Sequence, residues 1–250
     1  MIVADTIRME QVCFSINGRK ILENFDFVLD RGVNRTILGV SGAGKTTILK
    51  LLLGLLHPNS GRVCMGDICI NGKNESQFME QRKRIAIVFQ GGALFDSMTV
   101  GENVGYRLFE ARQISEAEIE QIILEKLSFV GVDAALNLYP SELSGGMKKR
   151  VAIARALAAD PDYIFFDEPT TGLDPIGVYN ICNLMQRLQA EGKTTLMVTH
   201  DLATAFATSQ RFTFLHKACM LFEGSEEEMK VSDIPEVREF LEPTDSSLFI

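Results

Sequence analysis

The 250-residue sequence has no tryptophan, no long apolar run, few histidines and little positive charge. Its three histidines, His57, His200 and His216, are scattered and suggest no metal cluster. The longest apolar run, Ile48 to Leu56, is broken by Lys50 and Gly54, well short of the ~20 residues a membrane span needs. The first residues lack the basic-then-apolar order of a signal peptide. Cysteine is sparse and odd in number: Cys13, Cys64, Cys69, Cys182 and Cys219, with no pair at C-x-x-C spacing. That predicts buried thiols in a reducing compartment, not a disulfide framework or a zinc site. Lys and Arg number 25 against 33 Asp and Glu, for a net charge of -8. Such a balance gives no basic footprint for nucleic acid and no basic cluster for anionic lipid. The expectation is a soluble intracellular chain that works at a membrane only if another chain holds it there.

The composition is otherwise that of a chain with a proper core. Hydrophobic residues make up 46%, and 16 phenylalanines supply most of the aromatic bulk. Strands are expected at 10–16 and 21–29, joined at Asn17-Gly18, where both positions tolerate positive φ. A short buried strand at 36–39 feeds a glycine-rich loop and a helix from about 44 to 56, ahead of Pro58. Strand pairing is expected over 62–70, closed by Asn71-Gly72. Strands at 85–89, 163–167 and 194–199 alternate with helices at 144–159, 176–191 and 202–209. The stretch 100–130 reads as a charged helical insertion with Glu116, Glu118, Glu120 and Glu125 facing solvent. Two more strands lie near 211–215 and 219–223, and Ser225 to Glu228 is a capping box that starts a helix.

Gly39-Val40-Ser41-Gly42-Ala43-Gly44-Lys45-Thr46 satisfies G-x-x-x-x-G-K-[ST], with Thr47 directly after it. A polyphosphate needs several N–H donors converging on it, and glycines let the backbone wrap that closely. The helix beginning near Gly44 points its positive end at the phosphates. Lys45 supplies a point charge for the β- and γ-phosphates, and Thr46 a hydroxyl for Mg²⁺. Ile164-Phe165-Phe166-Asp167-Glu168 supplies the partner strand. Asp167 emerges at its carboxyl end, where open α/β sheets bind ligands. There it can serve the Mg²⁺ shell, with Glu168 as general base toward water.

Leu143-Ser144-Gly145-Gly146-Met147 resembles the LSGGQ signature of ABC ATPases, with Met147 in place of Gln. The family's other motifs follow in order: Gln90 after a strand, Gly172-Leu173-Asp174, and His200 at a strand end. The resemblance implies an α/β P-loop NTPase of the ABC nucleotide-binding type. An α/β core with an antiparallel β subdomain covers about 1–90 and 160–225, a helical subdomain about 91–159, and a helical tail about 226–250. It implies ATP and Mg²⁺ as ligands, and catalytic roles for Glu168, His200 and Gln90, the last also touching the metal. Ser144, Gly145, Gly146 and Asp174 then meet the ATP held on another subunit's loop, in a head-to-tail pair with a second copy or a homologue. Ser144 is a good N-cap ahead of two glycines, a second anion site at a helix N-terminus. The neighbouring Lys148, Lys149 and Arg150 are expected on a solvated helix face. One departure is Ile16, which stands where the family usually stacks an aromatic on adenine; Phe14, on the same strand face, reads as core.

Phe89 to Val100, the Met-ending signature, Asp174-Pro175-Ile176 and Val237 to Leu241 resemble one branch more than others. That branch is the ATPase subunits of bacterial and plastid MCE-type lipid transporters, such as the Mla phospholipid system. Pro169-Thr170-Thr171-Gly172 instead has the ordinary ABC form. The resemblance implies a place on the cytoplasmic face of an inner (or plastid-type) membrane, held by a permease, with an MCE-domain lipid-binding protein in the same complex. Residues 91–106 then line the permease groove. The alternatives are an amino-acid or lipoprotein transport ATPase, or a soluble ABC ATPase on ribosomes or DNA, against which the acidic charge weighs. The tail's Phe240, Leu241, Leu248 and Phe249 suggest a contact with a partner subunit.

Overall fold

The computed structural model describes residues 6–70 and 75–242. Its strands are β1 Thr6–Ile16, β2 Arg19–Asp30, β3 Arg35–Leu38, β4 Ser60–Met65, β5 Ile68–Ile70, β6 Ile85–Val88, β7 Tyr163–Asp167, β8 Thr194–Thr199, β9 Arg211–His216 and β10 Cys219–Gly224. Its α-helices are α1 Lys45–Leu52, α2 Glu75–Arg82, α3 Val100–Ala111, α4 Glu116–Phe129, α5 Gly145–Leu157, α6 Pro175–Ala190, α7 Leu202–Thr208, α8 Glu226–Lys230 and α9 Pro235–Leu241. They fall into two compact units, one of Met1–Gln81 with Thr194–Ile250 and one of Arg82–Lys193.

The first unit holds an antiparallel sheet in the order β2-β1-β4-β5. Asn17 (φ 50°) and Gly18 (φ 78°) make the tight turn between β1 and β2, as their tolerance of positive φ requires. Alternate residues Ile7, Met9, Val12 and Phe14 are buried, and the register slips between Met9 and Val12. Phe14 is therefore core, as expected. The same unit holds β3 in parallel with β8 and β9, and β10 antiparallel to β9. Every residue of β3 and β8 is buried, the near-continuous burial of parallel strands. Arg35 is tolerated there because its guanidinium pairs with Glu223 at 2.6 Å and lies over the Phe27 ring.

Helix α1 stops four residues short of the expected end at 56. Gly54, at φ 64°, closes it: its N–H bonds to Leu51 O at 2.9 Å, and Leu55 N to Lys50 O at 2.9 Å. This glycine-ended double bond satisfies the last carbonyls. Helix α2 was not expected, because its sequence shows no helical apolar period; Phe78 is its buried anchor. The Asn71-Gly72 turn lies outside the described residues, as do Leu248 and Phe249. The capping box at Ser225 is present: Ser225 Oγ accepts from Glu228 N, and Glu228 Oε2 from Ser225 N.

The cysteine expectation is overturned at one pair. Cys64 and Cys69 form a disulfide. The turn at Gly66 sets them directly opposite on β4 and β5, with Cα atoms 3.9 Å apart. A spacing of five residues in a short hairpin brings two thiols together as a C-x-x-C motif does elsewhere. Cys182 is buried, while Cys13 and Cys219 are half-buried.

In the second unit, β6 and β7 run parallel, with Val88 opposite Phe166. All five residues of β7 are buried. The charged stretch resolves into α3 and α4, each opened by a capping box, at Thr99 with Glu102 and at Ser115 with Glu118. Glu116, Glu118, Glu120 and Glu125 are exposed, as expected, while Ile119, Ile123 and Leu127 turn inward at helical spacing.

Candidate functional site

In the first unit the glycine-rich loop leaves β3 and enters α1. A Cβ at Gly39 would meet Leu215 O at 2.5 Å, so only glycine fits. Gly44, at φ 107°, would press a Cβ on Ile21 Cγ2 at 2.9 Å. Gly44 caps α1 with no side-chain bond, and the first turn carries no acidic residue. The helix N–H groups and their dipole therefore open toward the loop without a competing carboxylate. Lys45 is buried, and its Nζ donates to Gly39 O at 2.7 Å and Val40 O at 3.2 Å. The ammonium is held over the loop, the place from which a point charge reaches a phosphate. Thr46 and Thr47 are half-buried on the same turn, and Val40, Ser41 and Gly42 are exposed.

Flanking that loop, Lys20, Ile21, His216 and Lys217 line one groove with Ser41 and Gly42. Lys20 pairs with Glu23 at 2.5 Å. Ile16 ends β1 with 46% of its surface exposed, an apolar side chain with no ring to stack. His200 is exposed at the end of β8. Asp201 caps α7, accepting from Ala203 N at 3.0 Å, while Asp201 N donates to Thr199 Oγ1 at 3.1 Å. That bonding fixes the backbone on either side of His200. His200 and Val40 line a common pocket with Phe214, His216 and Phe240.

The second unit gathers the acidic and signature residues. Gln90 follows β6 and Asp167 ends β7, so both emerge at the carboxyl ends of adjacent parallel strands. Asp167 and Glu168 are 5% and 9% exposed. Glu168 has φ 48°, a left-handed backbone uncommon outside glycine. Its Oε2 accepts from Thr171 Oγ1 at 3.2 Å.

Ser144 caps α5, its Oγ accepting from Met147 N at 3.3 Å. A Cβ on Gly145 or Gly146 would meet nothing within 4 Å. The fold around them therefore makes no steric demand for glycine at these two positions. Ser144, Gly145 and Gly146 line one pocket with Leu173, Asp174 and Ile176. Asp174 caps α6, accepting from Gly177 N at 2.6 Å.

The expectation of a solvated face for Lys148 to Arg150 is overturned at Lys149. Lys149 is 6% exposed and its Nζ donates to Glu168 O at 3.2 Å. Burial pushes its amine below the usual range, and Asp167 and Glu168 oppose that shift. Arg150 donates to Gly131 O at 2.9 Å. The signal was present in the spacing: Lys149, Ala152, Ile153 and Ala156 share one helix face, and the last three are core.

Sequence reasoning also passed over two residues that shape the segment after Gln90. Arg155 of α5 donates to Gly92 O at 2.9 Å and Ala93 O at 2.7 Å. Asn103, fully buried, accepts from Phe95 N and donates to Phe95 O, Met98 O and Thr99 O. Beyond them a groove is lined by Ser97, Met98, Tyr106, Phe109 and Arg112.

Among the described residues, no group of three or more His, Cys, Asp or Glu is arranged to hold a metal by itself. Within the second unit, the Gln90 amide and the Asp167 carboxylate are hard oxygen donors of the kind that suits Mg²⁺.

Comparison with known proteins gives a consistent picture. Residues 22–171 match the family model described as ABC transporter. The chain is 37% identical over 241 residues to the intermembrane phospholipid transport system ATP-binding protein MlaF of Escherichia coli (strain K12), spanning 96% of this chain and 90% of that one. It is 39% identical over 238 residues to MlaF of Haemophilus influenzae, spanning 94% and 89%. Among solved structures it resembles a dimeric ATP-binding cassette in a post-hydrolysis state bound to ADP and Pi. There the TM-score is 0.80 at 31% identity, covering 88% of this chain and 98% of that one.

Proposed function

The chain belongs to the ABC transporter family, and we propose that it is the ATP-hydrolysing subunit of an Mla-type phospholipid transport system. The observation that carries this reading is the identity to two phospholipid-transport ATP-binding proteins along nearly the whole chain. The motif residues of the P-loop, the β7 end and the signature all lie within that span.

In this reading Gly39 to Thr47 wrap the phosphates of ATP, and Lys45 compensates their charge. Thr46, Asp167 and Gln90 would each offer an oxygen to Mg²⁺, which would supply charge neutralisation at the phosphates. Glu168 takes a proton from the attacking water and His200 contacts the γ-phosphate. Ser144, Gly145, Gly146 and Asp174 serve ATP bound on a second subunit, which explains glycines that their own fold does not need. As part of the same proposal, an α/β core covers about 1–90 and 160–225, a helical region about 91–159 and a tail about 226–250.

No helix among the described residues is long and apolar enough to cross a membrane. In this reading the chain works at a membrane through a permease, whose segment seats in the groove of Met98, Tyr106 and Phe109, with an MCE-domain lipid-binding protein in the same complex. That groove adjoins the segment pinned by Arg155 and Asn103, so a change at Gln90 reaches it over a short, rigid path. Purification from the native membrane is expected to bring a permease and bound phospholipid with the chain. Recovery with ribosomes or DNA and no permease would overturn the transport reading.

Ile16 sets a second expectation. An exposed aliphatic side chain gives the base little to stack on, so phosphates dominate affinity. Ile16→Tyr is expected to tighten ATP about tenfold, within the ~1–3 kcal/mol of base stacking on an aromatic. Inorganic triphosphate should bind the variant and the parent alike in a competition assay. Equal ATP affinity in the two proteins would remove position 16 from the base subsite.

A further inference from the structure

We propose that Lys149 is a positioning residue for hydrolysis: its ammonium, bonded to the Glu168 carbonyl, holds Glu168 in its left-handed backbone conformation and ties it to the signature helix. The inference rests on the reading of Glu168 as the base.

Three of the bonds made by Glu168 bear on its position. Thr171 N donates to its carbonyl at 3.4 Å, Thr171 Oγ1 to its carboxylate at 3.2 Å, and Lys149 Nζ to its carbonyl at 3.2 Å. The first two come from the turn that follows Glu168 and move with it. Lys149 alone among these three reaches it from another element. A glutamate at φ 48° persists only where its surroundings over-determine it. The backbone sets the direction in which the side chain leaves Cα, so a bond to the carbonyl helps to hold the base in place.

Lys149 is also an expensive residue to bury without a purpose. It is 6% exposed on a face otherwise built of Ala152, Ile153 and Ala156, where an apolar side chain would pack at no desolvation cost. Its position on α5 gives a reason. It lies five residues after Ser144, the cap at the terminus that receives phosphate from the second subunit. A helix is stiff over that distance. Any tilt or advance of α5 when phosphate docks at Ser144 is transmitted to Lys149 Nζ and so to Glu168. One chain then links the ATP it completes for its partner to the base that serves its own.

The test uses the full chain in its native complex. Lys149→Met is expected to lower kcat at least tenfold, with KM for ATP within threefold and the melting temperature close to that of the parent. Lys149→Arg, which keeps charge and donors, should restore most of the rate. In a Glu168→Gln background, Lys149→Met should cost nothing further, because it acts through Glu168. Unchanged kcat in Lys149→Met would overturn the inference, as would a further tenfold loss in the Glu168→Gln background. If Lys149→Met does not fold, Lys149→Gln, which retains an amide donor, carries the same comparisons. A parent protein that hydrolyses no ATP would instead overturn the ATPase reading itself.

Discussion

Glu168→Gln is expected to lower kcat for ATP hydrolysis by about 10²–10⁴-fold, the usual worth of a positioned general base. ATP affinity should stay within about threefold. The substitution keeps the size of the side chain and an oxygen that can accept from Thr171 Oγ1, the 3.2 Å bond seen in the structure. It leaves the backbone carbonyl that Lys149 contacts untouched. The left-handed conformation at this position is therefore retained, and what is lost is the capacity to take a proton. Folding should be little affected, because the amide keeps the size of the side chain and its bond to Thr171 Oγ1. A single-turnover assay and a nucleotide-binding titration separate the two effects. Turnover equal to that of the parent would remove Glu168 from the role of base.

Lys45→Ala is expected to act on binding instead. A charge-assisted bond to phosphate contributes roughly 1.5–3 kcal/mol, so ATP should bind about 10- to 100-fold more weakly. Loss of the ammonium also frees Gly39 O and Val40 O, which it now contacts at 2.7 and 3.2 Å. Val40 is exposed and its carbonyl can turn to water, whereas Gly39 is buried and loses a bond it cannot replace so readily, so the melting temperature should fall by several degrees. Because the missing interaction is with phosphate and not with the base, ATP and GTP should weaken in parallel. Parent-like affinity, measured by isothermal titration, would contradict the phosphate assignment of the loop.

Most of the site was legible in the sequence because its chemistry is local. The glycine-rich loop, the capping Ser144 and Asp174, and the acidic end of β7 each need specific residues at adjacent positions. Adjacency is what a sequence displays. The strands followed for the same reason: β7 and β8 are runs of buried residues at the expected bounds. What escaped depends on contacts between distant positions or on backbone geometry. The Cys64–Cys69 bridge needed the turn at Gly66 to set two strands in register. The early end of α1 turned on the positive φ of Gly54. Lys149 was misread because a basic triplet was taken as one face, whereas a helix spreads successive residues around its circumference at about 100° each. Its helical spacing with Ala152, Ile153 and Ala156 carried the correct answer. Arg155 acts on main-chain carbonyls far along the chain and Asn103 on the loop just before its own helix, and no motif marks either set of bonds.

The central proposal is that the ATP site is completed by a second subunit, and the open space at Gly145 and Gly146 supports it. The direct measurement is the mass in solution of the Glu168→Gln protein, by sedimentation, with and without Mg-ATP. The expected result is twice the protomer mass at saturating Mg-ATP, with return to the protomer mass when Ser144→Arg is added. A mass that stays at one protomer while ATP is demonstrably bound would contradict a site shared between two copies.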